Sequence, residues 1–156
     1  MGVSTDAIIC FGIPVEEDAE LPWDDNCDGD IEAWWREKVL GYKSPFEIFD
    51  EDGNWMNGVE ASQEQIAVWY AHRKEFDASS PKLPIHLVMH CSGEYPMWII
   101  ADEKAGMSAR RGYVERIDVN QFHITPGRVE AIKKFVADYD IPTIGEAGWY
   151  LVGLWF

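Results

Sequence analysis

Pro-Ile-His-Leu-Val-Met-His-Cys-Ser-Gly-Glu-Tyr-Pro-Met-Trp-Ile-Ile-Ala-Asp-Glu, residues 84–103, is the stretch whose reading decides the fold of this chain. Two apolar, β-prone runs, residues 83–91 and 97–101, flank Ser92-Gly93-Glu94-Tyr95-Pro96, which is rich in turn formers. Apolar runs this short, bounded by Gly and Pro, read as strands. The pattern predicts a buried β-hairpin on which the remaining elements pack or pair.

Upstream, Ala7-Ile8-Ile9-Cys10-Phe11-Gly12-Ile13 is an apolar run stopped by Pro14, and it reads as a buried first strand. An acidic stretch follows, broken by Pro22 and Gly29, and reads as a loop. From Asp30 the period changes. Ile31, Trp34, Trp35 and Val39 share one helical face, with Asp28 or Asp30 as cap, Gly41 as stop and Glu32 placed to pair with Arg36.

Residues 46–56 carry a small hairpin pattern around Asp50-Glu51-Asp52-Gly53-Asn54. Ser62-Gln63-Glu64-Gln65 forms a capping box for a helix over residues 63–76, with Ile66, Trp69, Tyr70 and Phe76 on its inner side.

Downstream of the central hairpin, residues 113–119 alternate apolar with charged, as a strand with one wet face does. Thr125-Pro126 opens a helix whose stripe is Val129, Ile132, Val136 and Tyr139. The closing run, residues 149–156, is too apolar for a solvated tail and reads as a last strand inserted in the sheet. The expected class is α+β, a mainly antiparallel sheet of about four to six strands with about three helices packed on it. With 156 residues and no linker or repeat, a single domain over 1–156 is expected.

Composition narrows the function classes. The net charge is −15, and it is unevenly placed. Residues 1–60 hold sixteen acids and three bases, while residues 61–156 hold twelve and ten. Such a field repels nucleic acid and anionic membrane and attracts basic protein surfaces. Neither direct nucleic-acid binding nor membrane association is expected, and no apolar run has the length of a membrane span. An odd three cysteines without a Cys-x-x-Cys pair, and no basic-then-apolar leader, point to a reducing cytoplasm.

Several segments resemble a family of small, acidic tailed-bacteriophage proteins. They are Met-Gly-Val-Ser-Thr-Asp-Ala (1–7), Glu-Ala-Trp-Trp-Arg-Glu (32–37), residues 46–53, residues 90–99, Arg111-Gly112-Tyr113 and Trp149-Tyr150-Leu151. The resemblance implies a setting, a phage genome acting in the host cytoplasm, and carries over no catalytic residue.

Candidate sites divide into metal, nucleophile and charge. Asp24-Asp25-Asn26-Cys27-Asp28-Gly29-Asp30-Ile31 matches the start of a calcium loop, with Asp24, Asn26 and Asp28 as ligands. The twelfth place, which should supply a two-oxygen Glu, is Trp35, and Pro22 stands where an entering helix belongs. An acidic loop ending in an Asp cap accounts for the same residues. His86 and His90 share one strand face and could begin a zinc site with His123, but the spacing lacks the close ligand pairs zinc sites use. Strand alternation puts Cys91 on the face opposite His90, so the imidazole cannot activate that thiol, and no glycine elbow or phosphate loop is present. No cofactor is expected. Lys104, Arg110, Arg111 and Arg116 form the main basic cluster, suited to an anion or to an acidic patch on a second copy.

The acidic segment remains. Glu16, Glu17, Asp18, Glu20, Asp24, Asp25, Asp28 and Asp30 lie close in sequence to Trp23 and Trp34, and aromatics beside charge are a common makeup of protein-binding surfaces. The expectation is a non-enzymatic phage accessory protein that blocks a basic, nucleic-acid-binding host protein, as anti-CRISPR and other DNA-mimicking inhibitors do. The alternatives are a small metal-dependent hydrolase using His86, His90 or the acidic loops, and a phage structural or assembly protein.

Overall fold

The computed structural model describes residues 5–24, 30–45 and 62–155. The small hairpin expected within residues 46–56 lies outside them, as do Asp25, Asn26, Cys27 and Asp28. The fold is α+β, and the chain divides into two compact units: Met1–Gly29 with Leu83–Phe156, and Asp30–Lys82 between them in sequence.

The first unit is a small barrel of β1 (Thr5–Pro14), β2 (His86–Ser92), β3 (Pro96–Arg110) and β4 (Gly148–Trp155), in the order β1-β3-β2-β4. The central hairpin is β2–β3, with Val88 opposite Ile99 and His86 opposite Ala101. Its turn is closed by the Tyr95 N–H donating to Ser92 Oγ at 3.1 Å. β1 runs antiparallel between β3 and β4. Closure comes from a short parallel contact, Cys91 with Leu154 and Ser92 with Trp155. The sheet is therefore a closed, mixed one of four strands: three pairings are antiparallel, as the sequence pattern suggested, and the fourth is parallel.

Alternation fills the barrel. Cys10, Val88, Ile99 and Ala101 form its buried centre, with Ile8, Tyr150 and Val152 packed against it. Large β-branched residues leave little room where strands cross, and Gly12 is the accommodation: a Cβ there would lie 2.4 Å from the Ile100 carbonyl oxygen. The register slips at that point. Cys10 faces Gly106 and Gly12 faces Ala101, so Phe11 alone stands opposite residues 102–105. This bulge turns Asp102 toward α3 (Pro126–Asp138), where it meets Arg128.

β3 runs nine residues past Ala101, through Ala105, Gly106, Ser108 and Ala109. Among the described residues, one expected strand does not form. The alternating segment 113–119 forms no strand and lies exposed, ending in a 3-10 turn over Val119–Phe122. Ile132 and Phe135 of α3 are buried as their stripe requires.

The second unit begins with α1 (Ile31–Trp34), which continues as a π-helical turn over Trp35–Val39. Asp30 caps it, accepting from the Glu32 and Ala33 amides, and Gly41 at φ +70° ends it. Arg36 does not pair with Glu32. It is buried, and its Nε donates to Asp77 of α2 (Gln63–Ser79) at 2.9 Å. The Ser62–Gln65 capping box is formed in both directions. Tyr42 packs edge-on against Phe76 and bonds His72. α2 itself buries no residue fully; Ile66, Trp69 and Phe76 are half-buried and Tyr70 is exposed, so its expected inner stripe is only partly covered.

Candidate protein-binding surface

The acidic segment leaves β1 at Pro14 and is pinned at both ends. Val15 bridges Thr143 and donates to the Trp98 carbonyl at 3.0 Å, and the Glu16 amide donates to the Pro142 carbonyl at 3.1 Å. Ala19 N–H returns to the Glu16 carbonyl, making a turn. At the far end Leu21 and Trp23 are buried, and the Asp24 carboxylate accepts from the Leu21 amide at 3.0 Å. A backbone held this way presents its outward side chains in fixed places.

Those outward side chains are Glu16, Glu17, Asp18 and Glu20. All four are exposed, and none of their carboxylates makes an ion pair among the described residues. The first basic residue in the whole sequence is Arg36. Four negative charges in five residues, with no counter-charge in the sequence before or beside them, repel one another and make any basic surface a favourable neighbour.

The other expected members sort differently. Trp23 is 1 % exposed and Trp34 5 %, so neither ring offers a surface anchor; both serve packing, and this corrects their assignment as contact aromatics. Asp24 and Asp30 are exposed but spend their carboxylates on local amides, as turn and helix caps. Asp25 and Asp28 lie outside the described residues, and so do Asn26 and Asp28 of the calcium pattern.

Among the described residues, no group of three His, Cys, Asp or Glu is placed to hold a metal ion. His86 and His90 keep the parity of Val88, with His86 exposed and His90 partly buried, which holds its imidazole below the usual histidine range. Cys91 has φ 73°, a conformation rare for a side-chain-bearing residue, where β2 enters its turn. Cys10 lies in the barrel centre, and burial pushes its thiol up to about 11, away from nucleophilic use. No described helix is long and apolar enough to cross a membrane.

Of the basic residues, Lys104 lies in the β3 bulge, Arg110 at the end of β3, Arg111 next to it, and Arg116 in the exposed segment. The polar arrangement that sequence reading missed is the pair Asp102–Arg128. Both Arg128 Nε (2.7 Å) and Nη2 donate to the carboxylate, which also accepts the Lys104 amide at 2.8 Å. A lone Asp and a lone Arg twenty-six positions apart carry no sequence signal of pairing. A scan against protein-family models and searches of the curated proteins and of the solved structures each found no match.

Proposed function

We propose that this chain is a binding protein without catalytic activity, a phage accessory protein that occupies the nucleic-acid-binding surface of a basic host protein in the host cytoplasm. The observation that carries this reading is the pinned turn with Glu16, Glu17, Asp18 and Glu20 exposed and, among the described residues, without ion pairs. A row of fixed carboxylates imitates the regular negative charge of a nucleic-acid backbone, and a fixed row loses less entropy on binding than a mobile one. Specificity would come from charge spacing, since Trp23 and Trp34 are withdrawn from the surface. An anti-CRISPR or other anti-defence inhibitor fits that description.

The test is capture from host lysate on the immobilised chain at low and at high salt, beside a variant with Glu16, Glu17, Asp18 and Glu20 all changed to Lys. Basic proteins should be retained at low salt and released at high salt, where screening shortens to a few ångströms. The variant should lose them. Equal capture by the variant, or a partner that salt does not release, overturns the reading.

A further inference from the structure

We propose that the exposed segment 113–119 is a processing site, cut between Arg116 and Ile117 by an endoprotease of arginine specificity, and that the two pieces stay together as one folded unit. Such a protease takes six to eight residues of substrate as an added strand and holds the arginine guanidinium on a carboxylate in its pocket. A bond is open to it only where those residues are both solvent-exposed and free of a helix or ladder.

All thirteen Lys and Arg lie in the described residues, and Arg116 alone among them has four exposed neighbours on each side. Val114, two positions before it, is 99 % exposed. No helix or strand covers residues 113–118. Elsewhere the fold guards the basic residues. Helices hold Arg36, Lys38, Arg73, Lys74, Arg128, Lys133 and Lys134, and β3 holds Lys104 and Arg110. Arg111 follows Ala109 and Arg110, which are paired with Ala7 and Asp6 of β1. Lys43 follows the buried Tyr42, and Lys82 leads through a half-buried Leu83 toward the buried Ile85. Cleavage at guarded places waits for local opening, which slows it by about a hundredfold or more.

The step is a hydrolysis. Water adds across the peptide bond, leaving a carboxylate on Arg116 and an ammonium on Ile117. The first piece keeps β1, β2, β3 and the acidic turn, and the second keeps α3 and β4. What holds them is already in the fold. β4 pairs with β1 at eight positions, from Thr5 with Trp155 to Gly12 with Gly148, and Arg128 of the second piece bonds Asp102 of the first. The turn's own pins, Thr143 and Pro142, also lie on the second piece, so after the cut its hold depends on association alone. No acidic side chain takes part in the cleavage, so the inference stands apart from the binding reading.

Trypsin at low ratio on the full native chain is the probe, followed by intact-mass spectrometry over time. Pieces 1–116 and 117–156 should appear together before any other fragment, about a hundredfold faster than cuts elsewhere. Native sizing should return the cut protein as a single species at the position of the uncut one, and urea should separate it. Arg116→Gln, a change at an exposed position, should remove this first cut, and Arg116→Lys, which trypsin also accepts, should restore it. In the urea-unfolded chain the preference for Arg116 should vanish. A first cut at any other residue, a rate indifferent to Arg116→Gln, or pieces that part on native sizing overturns the proposal.

Discussion

Replacing Arg128 by Met should destabilise the first unit through the carboxylate it abandons. Asp102 is 9 % exposed and has three donors, two from the Arg128 guanidinium and one from the Lys104 amide. Removing the guanidinium leaves a charge with one donor where little water reaches. Breaking a buried ion pair from one side costs about 3–5 kcal/mol. The Arg128 side chain is 31 % exposed, so water regains part of the site, and the expected loss falls to about 2–3 kcal/mol. At about 2–4 °C per kcal/mol for a chain of this size, the melting temperature should fall by roughly 4–12 °C. Asp102→Asn keeps the acceptor for Lys104 while removing the charge, and should cost about 1–2 kcal/mol. The double variant Asp102→Leu, Arg128→Met should recover much of the loss, because an apolar pair has no stranded charge. Urea unfolding followed by far-ultraviolet circular dichroism measures all the variants. A coupling energy below about 0.5 kcal/mol in the Asp102→Asn, Arg128→Met cycle would refute the reasoning. The bulge at residues 102–105 would then be held by packing alone.

Gly12→Ala should be more damaging than its size suggests, by about 2 kcal/mol or more, because its Cβ would press on backbone at Ile100 and Ala101 and on the buried, β-branched Ile99 side chain; thermal unfolding reads this. Burial lowers the pKa of His90 in the folded state below its unfolded 6.5, so the unfolded chain binds the proton more readily. Stability should be full above about pH 6.5 and decline as pH falls below it, and His90→Gln should remove that part of the slope in a series of melts. Cys10 should stay unmodified by a thiol reagent at pH 8 in the native protein and react on unfolding, as mass mapping of labelled peptides would show.

Local signals in the sequence were legible where one element could satisfy them by itself. The Ser62–Gln65 capping box, the Asp30 cap, the Gly41 stop and the β2–β3 hairpin each rest on residues a few positions apart, and all form. The α+β class followed from their order. What depended on partners far away in sequence was not legible. The alternation of residues 113–119 is real, but a strand forms only where a distant partner strand pairs with it, and these residues lie exposed without one among the described residues. Arg36 had Glu32 within reach on its own helix and pairs with Asp77 on another. The acidic stretch was recognisable as charge; that its two ends are pinned and that Trp23 is withdrawn needed the fold.

The pairing of β1 with β4 has a consequence for the order of events during synthesis. Cys10 sits opposite Tyr150, and 150 − 10 is 140 residues of chain. At about 5–20 residues per second a ribosome needs roughly 7–28 s to supply that partner. The Asp30–Lys82 unit can be complete long before then, while Ile8, Ile9 and Phe11 wait with no neighbour on that edge. Strand β1, apolar from Ala7 to Ile13, is thus made well before β4, and its edge toward β4 is closed late. The acid-rich stretch after it, through mutual repulsion between chains, would keep that waiting strand from meeting its copies on neighbouring ribosomes.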